Sequence, residues 1–128
     1  MDESIGRLGD AELEIMLTIW HSEEPVTSNY ILDRLQGRRQ WALSTLMTSL
    51  ARLEKKQFIV CDRSTGVNLY SSLISEQDYK QKESSTFLEK LYDNSFKGLV
   101  NSLYSSKAIN KRDLEDLRQF LDQMEQEE

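Results

Sequence analysis

The side chains that do chemistry in enzymes are sparse: one histidine, His21, one cysteine, Cys61, one proline and five scattered glycines among 128 residues. This set offers no phosphate-cradling glycine loop, no Ser-His-Asp or Cys-His arrangement and no metal site. Neither catalysis nor a cofactor is expected. A lone cysteine also rules out an internal disulfide. Cys61 reads as a half-buried structural thiol, with a redox or metal sensor as the alternative, and His21 as a ring facing the negative end of a helix dipole. What remains is charge. The formal net charge is −6, yet from residue 34 to 63 seven bases (Arg34, Arg38, Arg39, Arg52, Lys55, Lys56, Arg63) face two acids (Glu54, Asp62), a balance of +5. Residues 73–128 carry eight bases and twelve acids, a balance of −4. Nucleic-acid binding follows the local field, because each phosphate neutralised by a nearby Lys or Arg releases counterions.

Within the basic segment, Leu46, Leu50 and Leu53 repeat as one side of a helix that runs to about residue 56, with Leu43 near its entrance. Helical spacing places Ser44, Thr48, Ala51 and Lys55 opposite, and Thr45, Met47 and Arg52 on the flanks. Small polar residues near the N-terminus of an exposed helix can approach base edges, while Arg52, Lys55 and Lys56 can reach phosphates. The face suits the major groove of double-stranded DNA. A merely solvated face is the bland alternative. In the other function class, a module that meets an acidic protein partner, the helix is expected to carry a larger apolar patch. Trp41, just before the helix, either packs in the core, its favoured place, or lays its indole N–H toward the DNA backbone. Arg63 adds a contact from the following hairpin, with Thr65 and Asn68 as further phosphate donors.

Other elements must position this helix. Asp10 is a suitable N-cap for a helix over about 10–21 with Leu13, Met16, Leu17 and Trp20 as its buried stripe. Thr27 caps a second helix over about 28–36, with Ile31, Leu32 and Leu35 inward and Gly37 as a left-handed stop. After the third helix, β-rich runs at 58–63 and 67–72 flank Ser64-Thr65-Gly66, the composition of a hairpin. Three helices and a hairpin are the order of a winged helix, so the chain is expected to be mainly α with a small β wing. Residues 1–74 form the expected DNA-binding domain and 75–128 a helical dimerisation domain. The latter has Ser75 and Asn110 as caps, Phe87, Leu88, Leu91 and Tyr92 in one helix, and Phe96, Leu99, Val100 and Leu103 in the next. Leu114, Leu117, Leu121 and Met124 step by 3, 4 and 3 in the last, as in a coiled-coil seam. These thin amphipathic helices have no sheet to bury against, and a two-fold partner would let each stripe cover its twin. No run approaches the ~20 apolar residues of a membrane span and the first residues lack the character of a signal peptide, so no membrane insertion and a cytoplasmic location are expected.

Two stretches carry a likeness to a known family: Ala11-Glu12-Leu13-Glu14-Ile15-Met16 with Ile19-Trp20, and Trp41-Ala42-Leu43-Ser44-Thr45-Leu46-Met47-Thr48 continuing through Leu50, Arg52-Leu53, Lys55-Lys56 and Phe58-Ile59. Over nearly its whole length the chain resembles the penicillinase-repressor family, which includes the methicillin-resistance and copper-responsive repressors. The resemblance implies a winged-helix homodimer that blocks transcription from an inverted-repeat operator, with Thr45, Thr48 and Arg52 matching recognition-helix residues. Ser44 and Met47 stand where staphylococcal members have lysine and arginine, so base readout is expected to differ, and Met47 is a candidate for contact with a thymine methyl. In penicillinase-type members, a membrane sensor triggers proteolysis at an Asn-Phe bond in the C-terminal region. The aligned bond here is Ser102-Leu103, with Asn101 one place early. The paired C-x-C motifs of the copper-responsive branch are absent.

Overall fold

The computed structural model describes residues 6–37 and 40–127, so Arg38 and Arg39 lie outside the described residues. The order is α1 (Asp10–Trp20), α2 (Ser28–Leu35), α3 (Leu43–Lys55), β1 (Ile59–Asp62), β2 (Leu69–Ser72), α4 (Glu76–Tyr92), α5 (Phe96–Ser105) and α6 (Lys111–Glu127). These elements form two compact units, one reaching to Glu83 and one beginning at Ser84. The first is a winged helix extended by the opening turns of α4. The boundary expected at 74/75 precedes α4, whereas the compact unit continues into it because Tyr79 is part of the buried core.

Asp10 is not the N-cap of α1. Gly9 holds that place, and the Glu12 carboxylate accepts a hydrogen bond from the Gly9 N–H at 3.2 Å. The buried side also differs from expectation: Ile15, Met16 and Ile19 are fully buried, whereas Leu13, Leu17 and Trp20 are half-buried. Apolar residues occur almost all round this helix, so periodicity alone leaves its orientation open. In α2, Thr27 caps as expected, its Oγ1 accepting from the Tyr30 N–H at 3.1 Å, and Ile31 and Leu35 are buried. Gly37 is not left-handed; α2 ends at Gln36 in the right-handed region.

In α3, Leu46, Leu50 and Leu53 form the inner row. Its end is a Schellman turn: the Phe58 N–H donates to the Leu53 carbonyl at 2.9 Å and the Gln57 N–H to the Glu54 carbonyl at 3.0 Å, with Gln57 left-handed at φ 68°. A side chain with a Cβ is strained in that conformation where glycine is not. Gln57→Gly is therefore expected to raise the unfolding free energy by about 0.5–1 kcal/mol, read from urea denaturation. No gain would mean that the extra freedom of glycine in the unfolded chain offsets the relief.

β1 and β2 pair antiparallel with Ile59 opposite Ser72 and Asp62 opposite Leu69. Both strands are shorter than expected, so the connecting loop covers residues 63–68 rather than 64–66. The Asp62 carboxylate starts the turn by accepting from the Ser64 N–H and hydroxyl at 2.9 and 2.7 Å, and Gly66 supplies φ 87°. A third extended contact, not expected from the sequence, joins Val26 to Tyr70 through two backbone hydrogen bonds of 3.0 and 2.7 Å. It follows a cis Glu24–Pro25 bond, and Glu24 accepts from the Ser72 N–H at 2.6 Å.

The start of α4 is tied to α1 by aromatic side chains. The Trp20 indole N–H donates to the Ile74 carbonyl at 2.8 Å, and the Tyr79 hydroxyl accepts from the Leu8 N–H at 3.0 Å. The Tyr79 ring lies 5.8 Å from that of Trp20 and 5.9 Å from that of Phe58. Burial pushes the Tyr79 hydroxyl pKa up, so it stays protonated at neutral pH.

In the second unit, α4 gives way to α5 through two left-handed residues, Asp93 (φ 53°) and Asn94 (φ 65°). Ser95 then caps α5, its hydroxyl accepting from the Gly98 N–H at 2.9 Å. Asn110 caps α6 as expected: it accepts from the Asp113 N–H at 2.9 Å while Asp113 accepts from the Asn110 N–H at 2.8 Å. Neither α5 nor α6 has a fully buried residue.

Candidate nucleic-acid interface

Ser44, Thr45, Thr48, Ala51, Arg52 and Lys55 are all exposed on α3, away from its leucine row. The Thr48 hydroxyl donates to the Ser44 carbonyl at 3.0 Å, which leaves its oxygen outward as an acceptor. Among the described residues, Arg52 and Lys55 take part in no hydrogen bond or ion pair, so both are available to phosphates.

Two other predicted cations are already occupied. Lys56 Nζ lies 2.9 and 3.0 Å from the two Glu12 carboxylate oxygens, a tie from the end of α3 to the start of α1. Burial alone would raise the Glu12 pKa, but the Lys56 ammonium, the Gly9 N–H and the charge of Arg52 together outweigh it and hold the carboxyl below its ordinary value. Arg63 forks onto Glu54 at 3.1 and 2.9 Å, fastening the start of the wing loop to the last turn of α3. That guanidinium likewise lowers the Glu54 pKa. Both links are long in sequence or cross from helix to loop, beyond what periodicity can reveal. In the same loop the Thr65 hydroxyl donates to the Val67 carbonyl at 3.2 Å, and Asn68 is half-buried.

Trp41 is 7% exposed and belongs to the core. Met47 is half-buried and packed against the same core, while Leu43, read in the sequence only as an entrance residue, is 48% exposed at the first turn. Arg34, on α2, is exposed with its guanidinium carbon 4.6 Å from the Tyr30 ring centroid. His21 caps α1 and places Nε2 3.1 Å from the Glu76 carboxylate, and Cys61 is half-buried in β1 opposite Tyr70. Among the described residues, no group of three His, Cys, Asp or Glu side chains is placed to hold a metal, and no helix is long and apolar enough to cross a membrane.

In the second unit, Phe87, Leu91, Phe96 and Leu121 are exposed, while Leu88, Tyr92, Leu99, Val100, Leu103, Leu114 and Leu117 are half-buried. Phe120, Tyr104 and Met124 are exposed as well, although only Met124 had been placed in the seam. Phe120 directly precedes Leu121, where a strict 3-4-3 reading does not place a contact. Asn101 and Ser102 are exposed and Leu103 half-buried, all three inside α5.

A winged helix with free cations and small hydroxyls along its third helix narrows the comparison with known proteins. The sequence profile of the penicillinase repressor family matches residues 8–123. The chain belongs to the penicillinase repressor family. It is 32% identical over 121 residues to the methicillin resistance regulatory protein MecI of Mammaliicoccus sciuri, covering 94% of this chain and 98% of that protein. It is 35% identical over 111 residues to the penicillinase repressor of Staphylococcus aureus, covering 87% of each. Among solved structures, the DNA-binding domain of the repressor BlaI is 33% identical, with a TM-score of 0.52, covering 59% of this chain and 90% of that one. The family match thus spans both units, and the structural likeness supports the winged helix.

Proposed function

We propose that this chain is a sequence-specific DNA-binding transcriptional repressor, not an enzyme, and that it acts in the cytoplasm as a homodimer on an inverted-repeat operator. The observation that carries this reading is the exposed face of α3, where Arg52 and Lys55 stand free beside Ser44, Thr45 and Thr48. Free cations supply counterion-releasing phosphate contacts, and the short hydroxyl side chains let the helix approach base edges. Lys56 and Arg63, held by carboxylates, serve instead to fix α3 against α1 and the wing against α3.

Dimerisation is supported by the second unit, whose α5 and α6 have no fully buried residue and leave Phe87, Leu91, Phe96 and Phe120 exposed. A second copy offers each stripe its own complement. Inactivation, on this reading, follows cutting at Asn101–Leu103 by a membrane sensor-protease system. That segment is helical, with the Ser102 carbonyl accepting from the Ser106 N–H at 3.0 Å, so a protease needs α5 to open locally first.

Fluorescence anisotropy with DNA from upstream of the chain's own gene, against a scrambled duplex, tests the reading. A preference of about a hundredfold or more is expected, with affinity falling by roughly 10³–10⁵ from 50 to 200 mM salt if the dimer makes about 6–10 phosphate contacts. Arg52→Ala is expected to weaken every duplex and flatten the salt slope by about one unit, whereas Thr48→Ala changes preference among duplexes. Equal effects of both variants on all duplexes would contradict the assignment. No binding even at low salt would favour a protein-interaction module instead.

A further inference from the structure

The exposed face of α3 has two unlike edges. Thr45, Thr48 and Arg52 make one edge polar and basic, while Leu43, Met47 and Ala51, in steps of four residues, make the other apolar until Glu54 in the last turn. Met47 is half-buried against the core, so the long apolar side chain left free on that edge is Leu43, 48% exposed in the first turn. A single exposed leucine is ordinary on most protein surfaces. This one lies at the N-terminal end of the helix assigned to the groove, where side chains come closest to base edges. Its methyl groups neither donate nor accept hydrogen bonds, and the apolar group that base pairs present in the major groove is the thymine 5-methyl.

We propose that Leu43 is a specificity-determining residue that contacts the 5-methyl group of a thymine facing the first turn of α3. The proposal rests on the DNA-binding reading above and assigns to Leu43 the methyl contact for which the sequence suggested Met47. It predicts that each half-site holds one thymine that cytosine cannot replace without loss.

The test uses the full-length chain and a duplex selected by it from a random pool. Each thymine is replaced in turn by deoxyuridine, which removes only the methyl group. One replacement per half-site is expected to weaken wild-type binding about fourfold, the value of one buried methyl group. Leu43→Ala should bind the unmodified duplex correspondingly more weakly and show no further loss with deoxyuridine, while Met47→Ala keeps the sensitivity. Thermal melting of both variants confirms that each is folded under the binding conditions. Undiminished deoxyuridine sensitivity in Leu43→Ala, its disappearance in Met47→Ala alone, or a wild type indifferent to every methyl overturns the proposal while leaving the repressor reading intact. Failure of the selection to yield any preferred duplex overturns both.

Discussion

Replacing Leu117 with glutamate is expected to lower affinity for a complete operator by roughly 10²–10⁴-fold while leaving affinity for an isolated half-site unchanged. Leu117 lies on α6 with Leu114 and Leu121 at helical spacing on one face. Because the residue lies in the second unit, the core formed by Leu8 through Tyr79 is untouched. On the proposed dimer reading, a glutamate there places a charge in each copy at or near the contact between copies, where it is desolvated. One winged helix makes few phosphate contacts, and on that reading the rest of the affinity comes from tethering two of them. Sedimentation equilibrium should show monomers, and anisotropy should show equal binding to whole and half operators. A variant that remains dimeric and binds the complete operator with wild-type affinity would remove α6 from the interface.

Phe58→Ala is expected to destabilise the first unit by about 3–5 kcal/mol, a large share of the stability of a small domain. Phe58 is fully buried where α3 turns into β1, and its ring meets that of Tyr79 edge-on. Its backbone is equally committed, with the N–H donating to Leu53 and the carbonyl accepting from the Leu73 N–H at 2.8 Å. Removing the ring leaves a cavity between α3, the hairpin and α4 that the surrounding structure relaxes into only in part. Urea denaturation followed by tryptophan fluorescence reports the loss, since Trp20 and Trp41 both belong to this unit. A loss below about 1 kcal/mol would mean that the site collapses almost completely around the smaller side chain.

The inner row of α3 was legible because, Met47 apart, the residues between Leu46, Leu50 and Leu53 are polar or small, so one side is favoured for burial. The caps Thr27, Ser75 and Asn110 were legible for a local reason: each side chain bonds a backbone N–H three residues on. In α1 the same reasoning failed. Ala11, Leu13, Ile15, Met16, Leu17, Ile19 and Trp20 surround the helix, and its orientation is set by α2 and β2, which lie against it. The candidate site shows the same contrast. Ser44, Thr48, Ala51 and Lys55 could be placed outward by phase alone, but Thr45, Met47 and Arg52 fall on the flanks and Leu43 at the entrance, between buried and exposed. Neighbouring elements decide such margins, and here they cover Met47 more than Leu43.

By itself the sequence determined the helical content, the hairpin, the separation of a basic segment from an acidic one, and the inner row of α3. Propensity, capping and periodicity act over a few residues, and a short stretch of chain contains all the information they need. Tertiary structure decided which cations are free. Lys56 and Arg63 are indistinguishable from Arg52 and Lys55 as letters, yet Glu12, 44 residues from Lys56, and Glu54, nine from Arg63, engage the first pair and leave the second pair open. An ion pair depends on the distance between charges in space, and that distance exists only once the chain has folded.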